Sequence, residues 1–146
     1  MKYIFLSKQF YKDYEHKLFP EIEYKDNRPY IMLLMKIDGL DYAIPFRSHI
    51  THNYSFLTDV ANKCGIDYTK AIIIKKHDYV VDNINGLPIK IRPNENKALF
   101  GKKHEIIKGL KRYIKEYKRA VKNNAHHKVY VFKISTLQYF HKELGL

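Results

Sequence analysis

Residues 30–46 read YIMLLMKIDGLDYAIPF. The segment 30–37 is an almost continuous apolar run of strand length. Asp38-Gly39 is a strong two-residue hairpin signal, and LDYAIPF returns from it. The stretch predicts two paired antiparallel strands, the first of them buried. It commits the chain to a sheet, and the remaining elements have to be arranged around that sheet.

KYIFL (2–6) predicts a first strand. Ser7 is placed to cap a helix over SKQFYKDYEHKLF, with Phe10, Tyr14 and Leu18 on one face and Pro20 at its end. A polar loop, EIEYKDNRP (21–29), leads into the hairpin. Beyond the hairpin, SFLTDVANKCG (55–65) predicts a short helix closed by Gly65. AIIIKK (71–76), DYVVDN (78–83) and LPIKIR (87–92) predict further strands.

Pro93 opens a long basic segment reaching about Asn124. Ile106, Leu110, Tyr113, Tyr117 and Val121 recur there at three- and four-residue spacing, the pattern of a helix with one buried face. Gly101 and Gly109 interrupt it, leaving one helix or two. VYVFKI (129–134) predicts a strand, and Ser135 is placed to cap a last helix, STLQYFHKEL. No internal repeat, low-complexity linker or domain boundary divides the chain, so residues 1–146 are expected to form one domain. The order of elements predicts an α+β fold with a small, strongly bent antiparallel sheet or open barrel.

The chain carries 27 Lys and Arg against 15 Asp and Glu, a net charge of +12. So large an excess in a small domain points to a polyanionic partner. Much of it lies in residues 95–124, where Lys97, Lys102, Lys103, Lys108, Lys111, Arg112, Lys115, Lys118, Arg119 and Lys122 face only Glu95, Glu105 and Glu116. With the apolar stripe docked on the sheet, these cations form a ridge able to engage several phosphates. Lys90 and Arg92 extend it. Thirteen tyrosines and eight phenylalanines accompany the charge; exposed rings among cations suit stacking on unpaired bases.

The loop after the hairpin supplies the chemistry. Arg47, Ser48 and His49 are consecutive, and His52 follows. RNA can be cut without a metal, because its own 2′-OH attacks the neighbouring phosphorus. The catalyst must take a proton from that hydroxyl, give one to the leaving 5′ oxygen and stabilise the added negative charge. Imidazole titrates in the range the proton steps need, and a guanidinium presents a planar charged fork to phosphate oxygens. Tyr24 and Arg28, just before the first hairpin strand, can be brought near residues 47–49. Pro45 is read as the end of the returning strand.

Other chemistries find less support. His49-x-x-His52 is half a metal site without an evident third ligand. The single Cys64 makes no internal disulfide, and there is neither a GK[ST] phosphate loop nor a G-x-G-x-x-G. No cofactor is expected. The N-terminus does not read as a signal peptide, and no apolar run approaches a membrane span, so a cytoplasmic location is expected.

In order and spacing, Tyr24, Arg28, the apolar strand, Ile37-Asp38-Gly39 and YAIPFRSH resemble the toxins of type III toxin–antitoxin systems, the CptN, ToxN and AbiQ proteins. The likeness covers residues 1–55 in motif detail. It implies an SH3-like barrel core of the Kid and MazF kind, decorated by helices. It also implies a metal-independent endoribonuclease that leaves 2′,3′-cyclic phosphate and 5′-hydroxyl ends on messenger RNA. Inhibition would come from a small pseudoknot RNA antitoxin that the toxin excises from its precursor, protein and RNA closing into a ring. By position, the family's serine falls on Ser48, its preceding polar residue on Arg47, its upstream tyrosine on Tyr24 and its upstream basic residue on Arg28. Where ToxN-like members continue with proline and lysine, this chain has His49 and Ile50, so His49 or His52 is the candidate for the lysine's role. Two other readings fit the charge: a non-catalytic RNA- or DNA-binding module, and a MazF-like toxin neutralised by a protein.

Overall fold

Two residues with positive φ, Asp38 (50°) and Gly39 (81°), turn the chain between β2 (Met32–Ile37) and β3 (Leu40–Arg47). Positive φ at both central positions is the hairpin turn whose twist matches the strands it joins, and Asp-Gly accommodates it. The strands pair from Ile37↔Leu40 out to Met32↔Pro45. In this computed structural model, residues 1–24 and 30–146 are described.

Five more strands extend the hairpin into a mixed α+β fold. β1 (Lys2–Leu6) pairs antiparallel with β2 and, through Phe5 and Leu6, with β7 (Val80–Val81). On its other side β3 has two partners in succession. β5 (Cys64–Asp67) pairs with Phe46 and Arg47, and β6 (Ile72–Ile73) pairs with Tyr42 and Ala43. Between them Tyr68–Lys70 forms a 3-10 turn. β4 (Ser55–Asp59) covers β5, giving the order β4-β5-β3-β2-β1-β7. The sheet is antiparallel but open, with β4 and β7 as its edges, so the expected closure into a barrel is not seen among the described residues.

Pro45 does not end β3, as its place in the sequence suggests, but lies inside it. The Phe46 N–H points to β2, bonding Ile31 O at 3.2 Å, so position 45 faces the other way. There the neighbour is the 3-10 turn rather than a strand, and the missing N–H costs no ladder bond.

Ser7 caps α1 (Lys8–Asp13) by accepting the Phe10 N–H. The helix is shorter than its pattern, and Leu18 is 68% exposed rather than on the buried face. Residues 55–65 are a hairpin, not a helix: the Asp59 side chain accepts the Asn62 N–H, turning the chain, and Lys63 has φ 53°. Gly65 is required in the return strand, because a Cβ there would lie 2.1 Å from the Phe56 carbonyl oxygen. Asn83–Ile84 (β8) and Leu87–Pro88 (β9) form a small separate hairpin around Asn85-Gly86.

The basic segment divides at Gly101 (φ 72°) into α2 (Pro93–Leu99) and α3 (Lys103–Lys122). α3 buries Ile106, Leu110, Tyr113, Ile114, Tyr117 and Ala120 against the sheet, joining a core that includes Phe10, Leu33, Ile44, Ile66 and Phe140. Gly109 lets it close on the 3-10 turn, for a Cβ would come within 2.6 Å of the Tyr68 ring. The stretch expected as a strand at 129–134 contains α4 (Tyr130–Lys133) instead. It packs on α3, where the Tyr113 hydroxyl donates to Val131 O at 2.6 Å. Ser135 caps a 3-10 turn over Thr136–Tyr139, in place of the expected last helix. No helix among the described residues is long and apolar enough to cross a membrane.

Candidate functional site

β3 ends at Arg47, and the chain turns sharply at His49, whose φ is 57°. Ser48 and His49 are thereby left exposed at the end of the sheet. They line a cleft of about 610 Å³ with Glu23, Tyr30, Arg47, Lys90, Arg92 and Glu95, and Phe46, Cys64 and Gly65 complete its wall.

Arg47 is the fixed point of this cleft. Its Nη1 donates to Asp67 Oδ2 at 2.6 Å, and its Nη2 lies 3.0 Å from Glu23 Oε1. Asp67 is fully buried, and its other oxygen accepts from the Thr69 N–H at 2.9 Å and the Thr69 hydroxyl at 2.6 Å. Burial pushes the Asp67 carboxyl up, but His52, Thr69 and Arg47 outweigh it and hold the group below the usual carboxylate range. Burial likewise opposes the Arg47 charge, which Asp67 and Glu23 more than restore. A guanidinium held this way keeps both its charge and its orientation.

His52 lies behind this pair. Its Nδ1 accepts the Tyr54 N–H at 3.1 Å, so the ring's proton sits on Nε2, which is 3.1 Å from Asp67 Oδ1. That nitrogen is buried and the contact falls short of a formed hydrogen bond, leaving the ring packed against the carboxylate. The geometry turns His52 toward Asp67, whereas His49 lines the cleft itself.

The Glu23 side is anchored with equal care. Lys70, buried in the 3-10 turn, donates to Glu21 O at 3.1 Å and to Ile134 O at 2.9 Å. Burial draws its ammonium below the usual lysine value against the pull of Glu23 and Glu21. Ile22 is buried, and the Glu21 N–H reaches the Tyr139 hydroxyl at 3.4 Å. The Tyr30 hydroxyl donates to Glu23 Oε2 at 3.4 Å. One short segment, Asp67–Lys70, thus positions both walls of the cleft.

The structure brings Arg47, Ser48 and His49 together with Lys90 and Arg92, which the sequence had grouped with the distant ridge. Tyr24 packs against Tyr11 and His16, with ring centroids 5.4 and 5.9 Å away, rather than lining the cleft. Arg28 lies outside the described residues. Glu23, Tyr30, Asp67, Thr69 and Lys70 were not singled out by sequence. Their partners are mostly 20 or more residues away, and no local motif marks them.

The basic ridge is divided. Lys111, Lys115, Lys118, Arg119 and Lys122 line a second groove of about 620 Å³ between α3 and the β2–β3 turn, opposite Asp38, Tyr42 and Glu143. Arg112 points elsewhere, over the Tyr54 ring at 5.2 Å and 3.5 Å from Glu116. Lys102 pairs with Glu105 at 3.7 Å, and Lys103 and Lys108 are exposed.

Among the described residues, no three His, Cys, Asp or Glu side chains cluster as metal ligands do. No family model, curated protein or solved structure matches this chain.

Proposed function

We propose that this protein is a metal-independent endoribonuclease of the type III toxin kind. The supporting observation is the cleft on which Arg47, Ser48, His49, Lys90 and Arg92 converge. It combines a charge held in place, a hydroxyl, an imidazole and two flanking cations. Arg47 would bind the scissile phosphate and its transition-state charge, with Ser48 hydrogen-bonding a phosphate oxygen. His49 would hand a proton to the departing 5′ oxygen. Lys90 and Arg92 would hold the adjoining phosphates. In this reading the antiparallel sheet corresponds to the Kid- and MazF-like core, left open between its edges β4 and β7.

The α3 groove would take a structured inhibitory RNA, read by shape and backbone charge. Two separate anion-binding surfaces on one protein are what a bridging RNA needs to close a protein–RNA ring in the cytoplasm.

The test is cleavage of adenine-rich RNA in EDTA by wild type and Ser48→Ala, with the ends mapped. Cutting by wild type, reduced in the variant and leaving cyclic phosphates, supports the reading. Tight binding of RNA that stays whole across sequences and pH supports a binding module instead.

A further inference from the structure

We propose that Glu23 is the proton acceptor of this site, an inference that rests on the RNA-cleaving reading above. Asp67 already supplies Arg47 with a buried counter-charge at 2.6 Å. Glu23, 3.0 Å from the other nitrogen, makes the trio net negative at the place where a phosphate is to bind. A second carboxylate there weakens phosphate binding, a cost that a part in the chemistry would offset. Glu95, the other acid lining the cleft, is accounted for: it accepts the Arg92 N–H at 3.0 Å and caps α2. Among the described residues Glu23 has no such capping duty, yet its segment is secured by Ile22, Tyr139 and Lys70.

Among the described residues, the groups facing Glu23 are Arg47 and Tyr30 in direct contact, Lys70 and Tyr11 at longer range, and Ser48, His49, Lys90, Arg92 and Glu95 around the shared cleft. In the step, a Glu23 oxygen takes the proton of the 2′-OH, and the 2′ oxygen attacks phosphorus. The bond from phosphorus to the 5′ oxygen breaks, and that oxygen leaves with the electron pair and receives a proton from the His49 imidazolium. The products are a 2′,3′-cyclic phosphate and a 5′-hydroxyl. Exchange with water then returns the proton from Glu23 to His49. Arg47, bonded to Glu23 in the resting site, turns that hydrogen-bonding capacity to the phosphate as the carboxylate becomes protonated.

The experiment is the pH dependence of cleavage by wild type, Glu23→Gln and Glu23→Asp, with thermal melting to confirm folding and a 2′-deoxy substrate to measure binding alone. The expected result is a loss of about a hundredfold or more in kcat for E23Q, the usual scale of general-base catalysis. The acid limb of the profile should vanish with it, while the 2′-deoxy strand binds as tightly or more tightly. E23D should keep the acid limb at an intermediate rate. Asp67 is no substitute acceptor, since it is fully buried behind Arg47 with its oxygens held by Arg47 and Thr69. If E23Q stays within about threefold of wild type with its acid limb intact, Glu23 is only a counter-ion and the proposal is overturned. A variant faster than wild type overturns it as well, showing that Glu23 competes with phosphate. Wild type that cuts no RNA overturns the parent reading, and the assignment with it.

Discussion

The Arg47 cleft and the α3 groove are nearly equal in volume, about 610 and 620 Å³, and opposite in electrical construction. In the cleft, Arg47 is held between two carboxylates, and the groups behind it run into the core through Asp67, Thr69 and Lys70. In the groove, five cations spread over about three helical turns share the surface with Asp38 and Glu143, and Glu143 is already paired with Lys75. The cleft is thus made for position and the groove for field strength. Chemistry needs charges that do not move; attraction of a flexible polyanion needs only many of them.

The largest effect expected from breaking this contrast is at Asp67. Replacing it with alanine leaves Arg47 half-paired and the Thr69 donors without an acceptor, and should cost about 3–5 kcal/mol in urea unfolding. Its pH signature follows from its direction of shift. Because the folded-state value lies below the unfolded one, the stabilisation is complete at neutral pH and is lost as pH falls through the folded value, below the usual carboxylate range. The variant should accordingly show a flatter decline of stability in acid than wild type. An unchanged decline would mean that the buried network contributes nothing.

Lys70→Met comes next. It leaves the Glu21 and Ile134 carbonyls without their donor and should cost about 1–3 kcal/mol. It should also slow RNA cleavage while leaving RNA affinity close to wild type, since the groove is untouched. Equal losses in both would erase the separation between the two surfaces. Gly109→Ala should destabilise by about 1–2 kcal/mol, because the clash with Tyr68 outweighs the helix-propensity gain. Lys115→Glu and Lys118→Glu should leave stability within about 0.5 kcal/mol. Each should weaken RNA binding and lower the salt slope by about 1 for every phosphate no longer neutralised. Arg112, directed at Tyr54 instead of the groove, should have less effect on affinity than Lys111.

What could be read from the sequence was local. The 30–46 hairpin rests on neighbouring residues and one turn, and Ser7 and Ser135 cap through partners three and two residues away. Arg47, Ser48 and His49 were visible because they are contiguous. The 55–67 hairpin was misread because its cause, the approach of Gly65 to the Phe56 carbonyl, exists only once the strands pair. Residues 129–134 have strand-like composition, but α3 rather than a sheet edge is their neighbour. Glu23 and Asp67 reach Arg47 across 24 and 20 residues, and nothing in their local spacing records it. The ridge could be counted but not divided, because the groove depends on where the β2–β3 turn meets α3.

If the cleft cuts RNA and the groove holds it, cutting and binding separate by substitution. Both can be measured on one labelled RNA in EDTA, comparing His49→Ala with Lys115→Glu for binding and for release of cyclic-phosphate ends. H49A should bind like wild type but cut far more slowly, while K115E should bind more weakly and cut bound RNA at the wild-type rate. Cleavage unaffected by H49A and lost only in proportion to binding in K115E would contradict that separation, and would move the chemistry away from Arg47.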